Sequence, residues 1–314
     1  MSKIAFVFPG QGAQYVGMAQ DFYNNFSDVR DIFQQADERL GFGLSDIMFN
    51  GPADKLKETQ YTQPAILLHS IIAMKKFMEE VSIKPEITAG HSLGEFSALV
   101  AANVLNLQNA LYLVHKRGEF MVTANQGTPF KMAAIIGLSS EQVIEICQQS
   151  AKEKNGIVVP ANFNTPTQTV ISGEDFAVDK AKEIAKDMGA MKVIELSVGG
   201  PFHSPLIELA EQWLAKEMDN FQFNYANIPV VQNVNAMPST EPLSIKENLK
   251  KQVVNPVQWV KSINYIIDNG VDTFIEFGPG KIVSGMIRRI SRKATIMNVD
   301  KYQDIEKIKH NCCK

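Results

Sequence analysis

The chain has 314 residues, 45% of them hydrophobic, enough to bury a large core and a smaller one beside it. Its 31 basic and 34 acidic residues leave a net charge of −3, so no global attraction to nucleic acid or to an anionic membrane is expected. The three cysteines, Cys147, Cys312 and Cys313, have neither a disulfide framework nor zinc spacing, and a reducing cytoplasm is the expected setting.

The apolar run 4–8 stops at Pro9-Gly10-Gln11-Gly12 and predicts a strand followed by a tight loop. That run is too short for a signal peptide, and no stretch approaches the roughly 20 apolar residues of a spanning helix. Residues 17–40 read as one helix, with Phe22, Phe26, Val29 and Phe33 at helical spacing. Gln63-Pro64 is expected to open the next helix, because proline suits a first helical turn. Residues 87–89 form a short strand entering Gly90, and 95–102 form a small-residue helix. A further helix covers 110–123, which makes an α/β alternation.

The middle of the chain has a different order. Strand 132–137 is followed by a helix that starts at the cap Ser139-Ser140-Glu141 and runs to about 154. Strands 156–162 and 168–172 meet at the turn Thr165-Pro166. Helix 175–188 and strand 191–198 complete a β-α-β-β-α-β unit of ferredoxin-like pattern. The expected organisation is an α/β core of parallel strands, residues 1–127 and 199–314, with a small domain at 128–198 inserted into it. Strand 271–277 then closes at Gly278-Pro279-Gly280 and leads into a helix.

Gly90-His91-Ser92-Leu93-Gly94 fits G-x-S-x-G between a predicted strand and a predicted helix, the context that makes Ser92 a candidate nucleophile. A serine hydroxyl needs a base. His91 is adjacent, and its side chain is expected to leave the turn in another direction. His69 reads as a core histidine, His115 faces away from Arg117, and His310 lies in the charged tail. His203, in Gly199-Gly200-Pro201-Phe202-His203-Ser204-Pro205, follows a predicted strand in the kind of loop that carries catalytic groups. No Asp or Glu stands out as a third member. A carbonyl would serve to orient the ring, though it would stabilise an imidazolium less than a carboxylate does.

Together these motifs resemble the malonyl-CoA:acyl carrier protein transacylase family of fatty-acid synthesis, over nearly the whole chain. The markers are Phe8-Pro9-Gly10-Gln11-Gly12, Gly90-His91-Ser92-Leu93-Gly94-Glu95 and Lys116-Arg117-Gly118, then Asn162 with Pro166, and Pro201-Phe202-His203-Ser204. Asn255-Pro256-Val257-Gln258-Trp259 and Glu276-Phe277-Gly278-Pro279-Gly280 follow. The resemblance implies an α/β-hydrolase-like core with the ferredoxin-like insert. It makes Ser92 the acylated nucleophile and His203 its base, with the backbone N–H groups of Gln11 and Leu93 as the oxyanion hole. It maps the carbonyl that orients the histidine onto Gln252, and it pairs Arg117 with the malonyl carboxylate. Phe202 resembles the malonyl-selective form of its loop, and Met121, one turn beyond Arg117, is expected in the same pocket.

The implied reaction moves a malonyl group from malonyl-CoA through a Ser92 ester to the phosphopantetheine thiol of acyl carrier protein, without metal or redox cofactor. An acidic carrier calls for a basic docking surface, and Arg288, Arg289, Arg292 and Lys293 form the densest basic cluster. A solvated helix face explains that cluster equally well. Three other readings share the motifs: a serine esterase or thioesterase, an acyltransferase loading a polyketide synthase, and an inactive binding partner of a synthase. A monomer is the expected state.

Overall fold

The computed structural model describes residues 3–312, with side chains described through His310. Ten strands form two sheets. In the larger sheet, β1 (Ile4–Phe8), β2 (Ile87–Gly90), β7 (Val230–Val231), β9 (Thr273–Phe277) and β10 (Thr295–Val299) run parallel. They stand in the order β10-β9-β1-β2-β7, and β8 (Pro238–Ser239) adds an antiparallel edge. The central strand β1 is buried on both faces, which is why its sequence is continuously apolar. Phe6 and Phe8 point to one side, where Phe6 meets Phe277 at a ring-centroid distance of 4.7 Å. Ala5 and Val7 point to the other, toward Trp259 and Ile263.

The second sheet contains β3 (Phe130–Ile136), β4 (Val158–Thr165), β5 (Gln168–Glu174) and β6 (Lys192–Glu195), all antiparallel, in the order β4-β5-β3-β6. Helices Ser140–Lys154 and Asp175–Asp187 cover one face of it through Val143, Ile146, Val178 and Ala181. Ser139 caps the first of these in a reciprocal capping box with Gln142. On the opposite face Met132, Ala134 and Val170 join the main core.

Two ties hold this sheet against the larger unit. Phe163 N–H donates to the Val257 carbonyl, and Val257 N–H to the Ala161 carbonyl, each at 2.9 Å. That stretch of β4 is flanked by bulges, and the pairing uses the strand's outer edge, which is an edge of the second sheet. The His91 ring also pairs through Nε2 with Asn164 Oδ1 at 2.8 Å.

Two expected helices differ from the structure. The single helix 17–40 is two helices, Gln20–Asn25 and Ser27–Leu40, broken at the extended Phe26. The Phe26 ring leaves the helical row to pack on Tyr302, with the Lys76 ammonium over its face. Helix Thr59–Glu80 opens four residues before Gln63, so Pro64 lies inside it. Proline cannot bond the carbonyl four residues back. His115 Nδ1 donates to that carbonyl, on Gln60, at 2.9 Å. Helices Leu44–Asn50, Ala53–Lys57, Pro242–Gln252 and Trp259–Asp268 and strand β10 are additions to the sequence reading. Among the described residues no helix is long and apolar enough to cross a membrane, and no cluster of three His, Cys, Asp or Glu has the geometry of a metal site. Cys147 is a buried free thiol; Cys313 and the side chain of Cys312 lie outside the described residues.

Candidate active site

Strand β2 ends at Gly90, and helix Gly94–Ala101 begins four residues later. The turn between them is so tight that a Cβ on Gly90 would occupy the Gly94 backbone, and one on Gly94 would collide with the Phe8 carbonyl. Ser92 sits in the left-handed region at φ 51°, a strained conformation for a residue with a side chain. Three hydrogen bonds from Asn233 brace the turn. Its Oδ1 accepts from Ser92 N–H at 2.7 Å, its Nδ2 donates to the Gly90 carbonyl at 2.7 Å, and its own N–H donates to Glu95 Oε2 at 3.0 Å.

His203 arrives from a distant loop, also left-handed at φ 57° and almost fully buried. Its Nε2 lies 2.8 Å from Ser92 Oγ, and its Nδ1 lies 2.8 Å from the Gln252 carbonyl and 3.2 Å from that of Asn255. Carbonyls only accept, so Nδ1 carries the proton and Nε2 is left to accept from the serine hydroxyl. Burial first, and the Arg117 charge second, push the His203 pKa down to about 3, so the ring is neutral throughout the physiological range.

Arg117 projects from helix Leu107–Thr123 and is 1% exposed. Nη1 donates to Gln63 Oε1 at 2.7 Å, and Nη2 donates to both Ser92 Oγ at 3.0 Å and Gln252 Oε1 at 2.9 Å. Nε has no partner among the described residues. Burial lowers the guanidinium pKa to about 10, which still leaves a full positive charge at neutral pH. A buried cation with an unmet donor, touching a serine hydroxyl, suits an anionic acyl group.

A cavity of about 130 Å³ lies over Ser92. Its wall includes the candidates Gln11, Leu93, Arg117, Met121, Asn162, Phe202 and His203, together with Gln63, His91 and Met132. Gln11, Leu196 and Val198 also line an adjoining cleft of about 570 Å³ that opens outward past Lys57. The backbone N–H groups of Gln11 and Leu93 donate to no carbonyl among the described residues; that of Leu93 stands at the start of a helix. Gln252 is fully buried behind the dyad and does not line the cavity; its carbonyl accepts from His203 Nδ1. The other histidines stay apart from Ser92 Oγ. His69 bonds the Asp300 carbonyl in the core, His115 bonds Gln60, and His91 turns to Asn164 while edging the cavity.

Sequence reasoning missed three members of this network: Gln63, Asn233 and Glu95. Glu95 directly follows the turn 90–94, and Gln63 stands beside Pro64. Asn233 binds the elbow across 141 residues and has no local signature.

The arrangement has known counterparts. The family model described as "Acyl transferase domain" matches residues 5–308. A malonyl CoA-acyl carrier protein transacylase of Bacillus subtilis (strain 168) is 44% identical over 306 residues, 98% of this chain and 96% of that protein. The solved malonyl CoA-acyl carrier protein transacylase of Coxiella burnetii superposes with a TM-score of 0.95 at 37% identity, covering 98% of this chain and 97% of that one. A malonyl-transacylase solved in complex with its type II PKS acyl-carrier protein superposes with a TM-score of 0.95 at 36% identity, covering 99% and 100%.

Proposed function

We infer the function from a premise that these matches establish: the chain belongs to the acyl transferase domain family and, within it, to the malonyl-CoA:acyl carrier protein transacylases. It is an acyltransferase that moves the malonyl group of malonyl-CoA to acyl carrier protein for fatty-acid synthesis. The observation that carries the reading is the meeting of His203 Nε2 and Arg117 Nη2 on Ser92 Oγ, at 2.8 and 3.0 Å.

That geometry supports the following assignment of roles. Ser92 Oγ attacks the thioester carbonyl as its proton passes to His203 Nε2. The oxyanion is held by the N–H groups of Gln11 and Leu93. Collapse breaks the C–S bond, the proton passes to the departing coenzyme A sulfur, and malonyl-Ser92 remains. The phosphopantetheine thiol of the carrier then attacks the ester, the same proton path runs in reverse, and Ser92 is regenerated. Arg117 receives the malonyl carboxylate, and that anion also cancels the positive potential that depresses His203. Substrate thereby strengthens the base it needs, an advantage an acetyl group lacks. Phe202, Met121 and Asn162 shape the acyl pocket, and the Gln252 carbonyl holds the His203 tautomer.

The finer architecture belongs to the same reading. Residues 1–127 and 199–314 form an α/β-hydrolase-like core, and residues 128–198 a ferredoxin-like domain, in a protein working in the cytoplasm. Intact-mass measurement tests the function. Wild-type protein mixed with malonyl-CoA should gain the mass of one malonyl group and lose it to added carrier, whereas Ser92→Ala should gain none. Release as free malonate in the presence of carrier would favour a thioesterase instead. The likeness to a transacylase solved with a type II PKS carrier makes a carrier of that class the second chase partner to compare.

A further inference from the structure

Glu95 is fully buried one turn beyond the nucleophile and takes no direct part in the transfer steps. Its Oε2 accepts from Gln252 Nε2 at 2.8 Å as well as from Asn233 N–H. The same Gln252 amide donates to the Ser92 carbonyl at 3.0 Å and, through Oε1, accepts from Arg117 Nη2 at 2.9 Å. A carboxamide has a donor end and an acceptor end, and it can sit either way round. An ionised carboxylate only accepts, so together with the Ser92 carbonyl it turns the NH₂ of Gln252 toward Glu95 and the oxygen toward the guanidinium. Reversed, the amide would aim N–H groups at a buried cation.

We propose that Glu95 is a positioning residue for acyl selectivity: by helping to fix the direction of the Gln252 amide and by supplying the nearby negative charge, it holds Arg117 where a substrate carboxylate meets it. The idea rests on the malonyl-transfer reading above. Glu95 also supplies the negative charge that a buried guanidinium requires, one amide away instead of in direct contact. A direct ion pair would occupy the guanidinium and leave less of it for substrate; the relay keeps Arg117 charged, oriented and available.

Burial pushes the Glu95 pKa up to about 7, against the opposing pull of Gln252, Asn233, Gln232 and the Arg117 charge. Once protonated, Glu95 also becomes a donor, and the amide is held in its sense only by the Ser92 carbonyl and Arg117. Arg117 is the charged group facing it. His203 stays neutral down to about 3, Arg117 stays cationic to about 10, and burial holds His91 below its ordinary value. None of those three changes charge between pH 7 and 8, so loss of preference beginning there points to Glu95.

The readout is the ratio of Ser92 acylation rates with malonyl-CoA and acetyl-CoA, which does not depend on how much of a variant is folded. Glu95→Gln should lower that ratio about tenfold, the order of one hydrogen bond to a charged group, mainly by raising the malonyl-CoA KM. Glu95→Asp should recover part of it. In the wild type the ratio should fall as the pH drops from 8 to 6, an arm that stands even if the Gln variant fails to fold. An unchanged ratio in Glu95→Gln, or in its absence a wild-type ratio flat with pH, overturns the inference. A wild type with no malonyl preference at any pH overturns the transfer reading and this inference together.

Discussion

At the scale of single residues the site depends on one buried cation. Arg117 touches the nucleophile, Gln63 and Gln252 at once, so the guanidinium proposed to select the acyl group also helps hold the serine in place. Arg117→Ala should cut malonyl transfer by at least about thirtyfold, the order seen when one partner of a desolvated charge pair is removed. Acetyl transfer should hold or rise, because the variant also removes the charge that suppresses His203. Steady-state rates with the two thioesters check this, and equal losses for both would deny the carboxylate role. Ser92 and His203 are candidates from their own loops, a G-x-S-x-G turn and a Gly- and Pro-rich loop, whereas Arg117 enters only through the family resemblance, because an arginine on a helix reads by itself as a surface residue. Asn233 and Gln63 were not legible in the sequence, because a lone amide gains meaning only from the partner that folding brings to it.

Among elements, the helix Ile282–Ile290 shows how a motif can serve construction rather than chemistry. Glu276, at the end of β9, accepts from the N–H groups of Val283 and Ser284 at 3.0 and 2.8 Å and so caps that helix. Arg288, Arg289 and Arg292 on and just beyond it are exposed beside Thr167, and none makes an ion pair among the described residues. Reversing charge at Arg288 and Arg289 should raise the KM for carrier severalfold and leave that for malonyl-CoA unchanged, with the effect shrinking as salt is added. Insensitivity to both changes would remove this surface from docking. Most elements could be read from periodicity. Two of the departures have local causes: Phe26 breaks a helix because its ring is claimed by Tyr302 and Lys76. Pro64 is tolerated within one because His115 takes the carbonyl it releases.

Across the whole molecule, burial of neutral histidines should set the acid limit of stability. His69, His91 and His203 all lie below the ordinary value of 6.5, each chiefly through desolvation, and His203 reaches about 3. The unfolded chain therefore binds protons first as the pH falls. The stability these groups allow is present above 6.5 and is lost progressively toward 3. Glu95 works in the opposite sense between about 7 and 4.5, because its folded form holds a proton that the unfolded chain has already released. Thermal unfolding from pH 7 to 4 should show His203→Ala losing less Tm than the wild type; parallel curves would contradict that account. The spacing of the site along the chain has a consequence in time. Gln11 and Ser92 leave the ribosome well before His203, Gln252 and Asn255, with the whole of the second sheet synthesised between them. A partly made chain thus carries its nucleophile without its base, and the enzyme acquires the power to take acyl groups from coenzyme A only when nearly all of it has been translated.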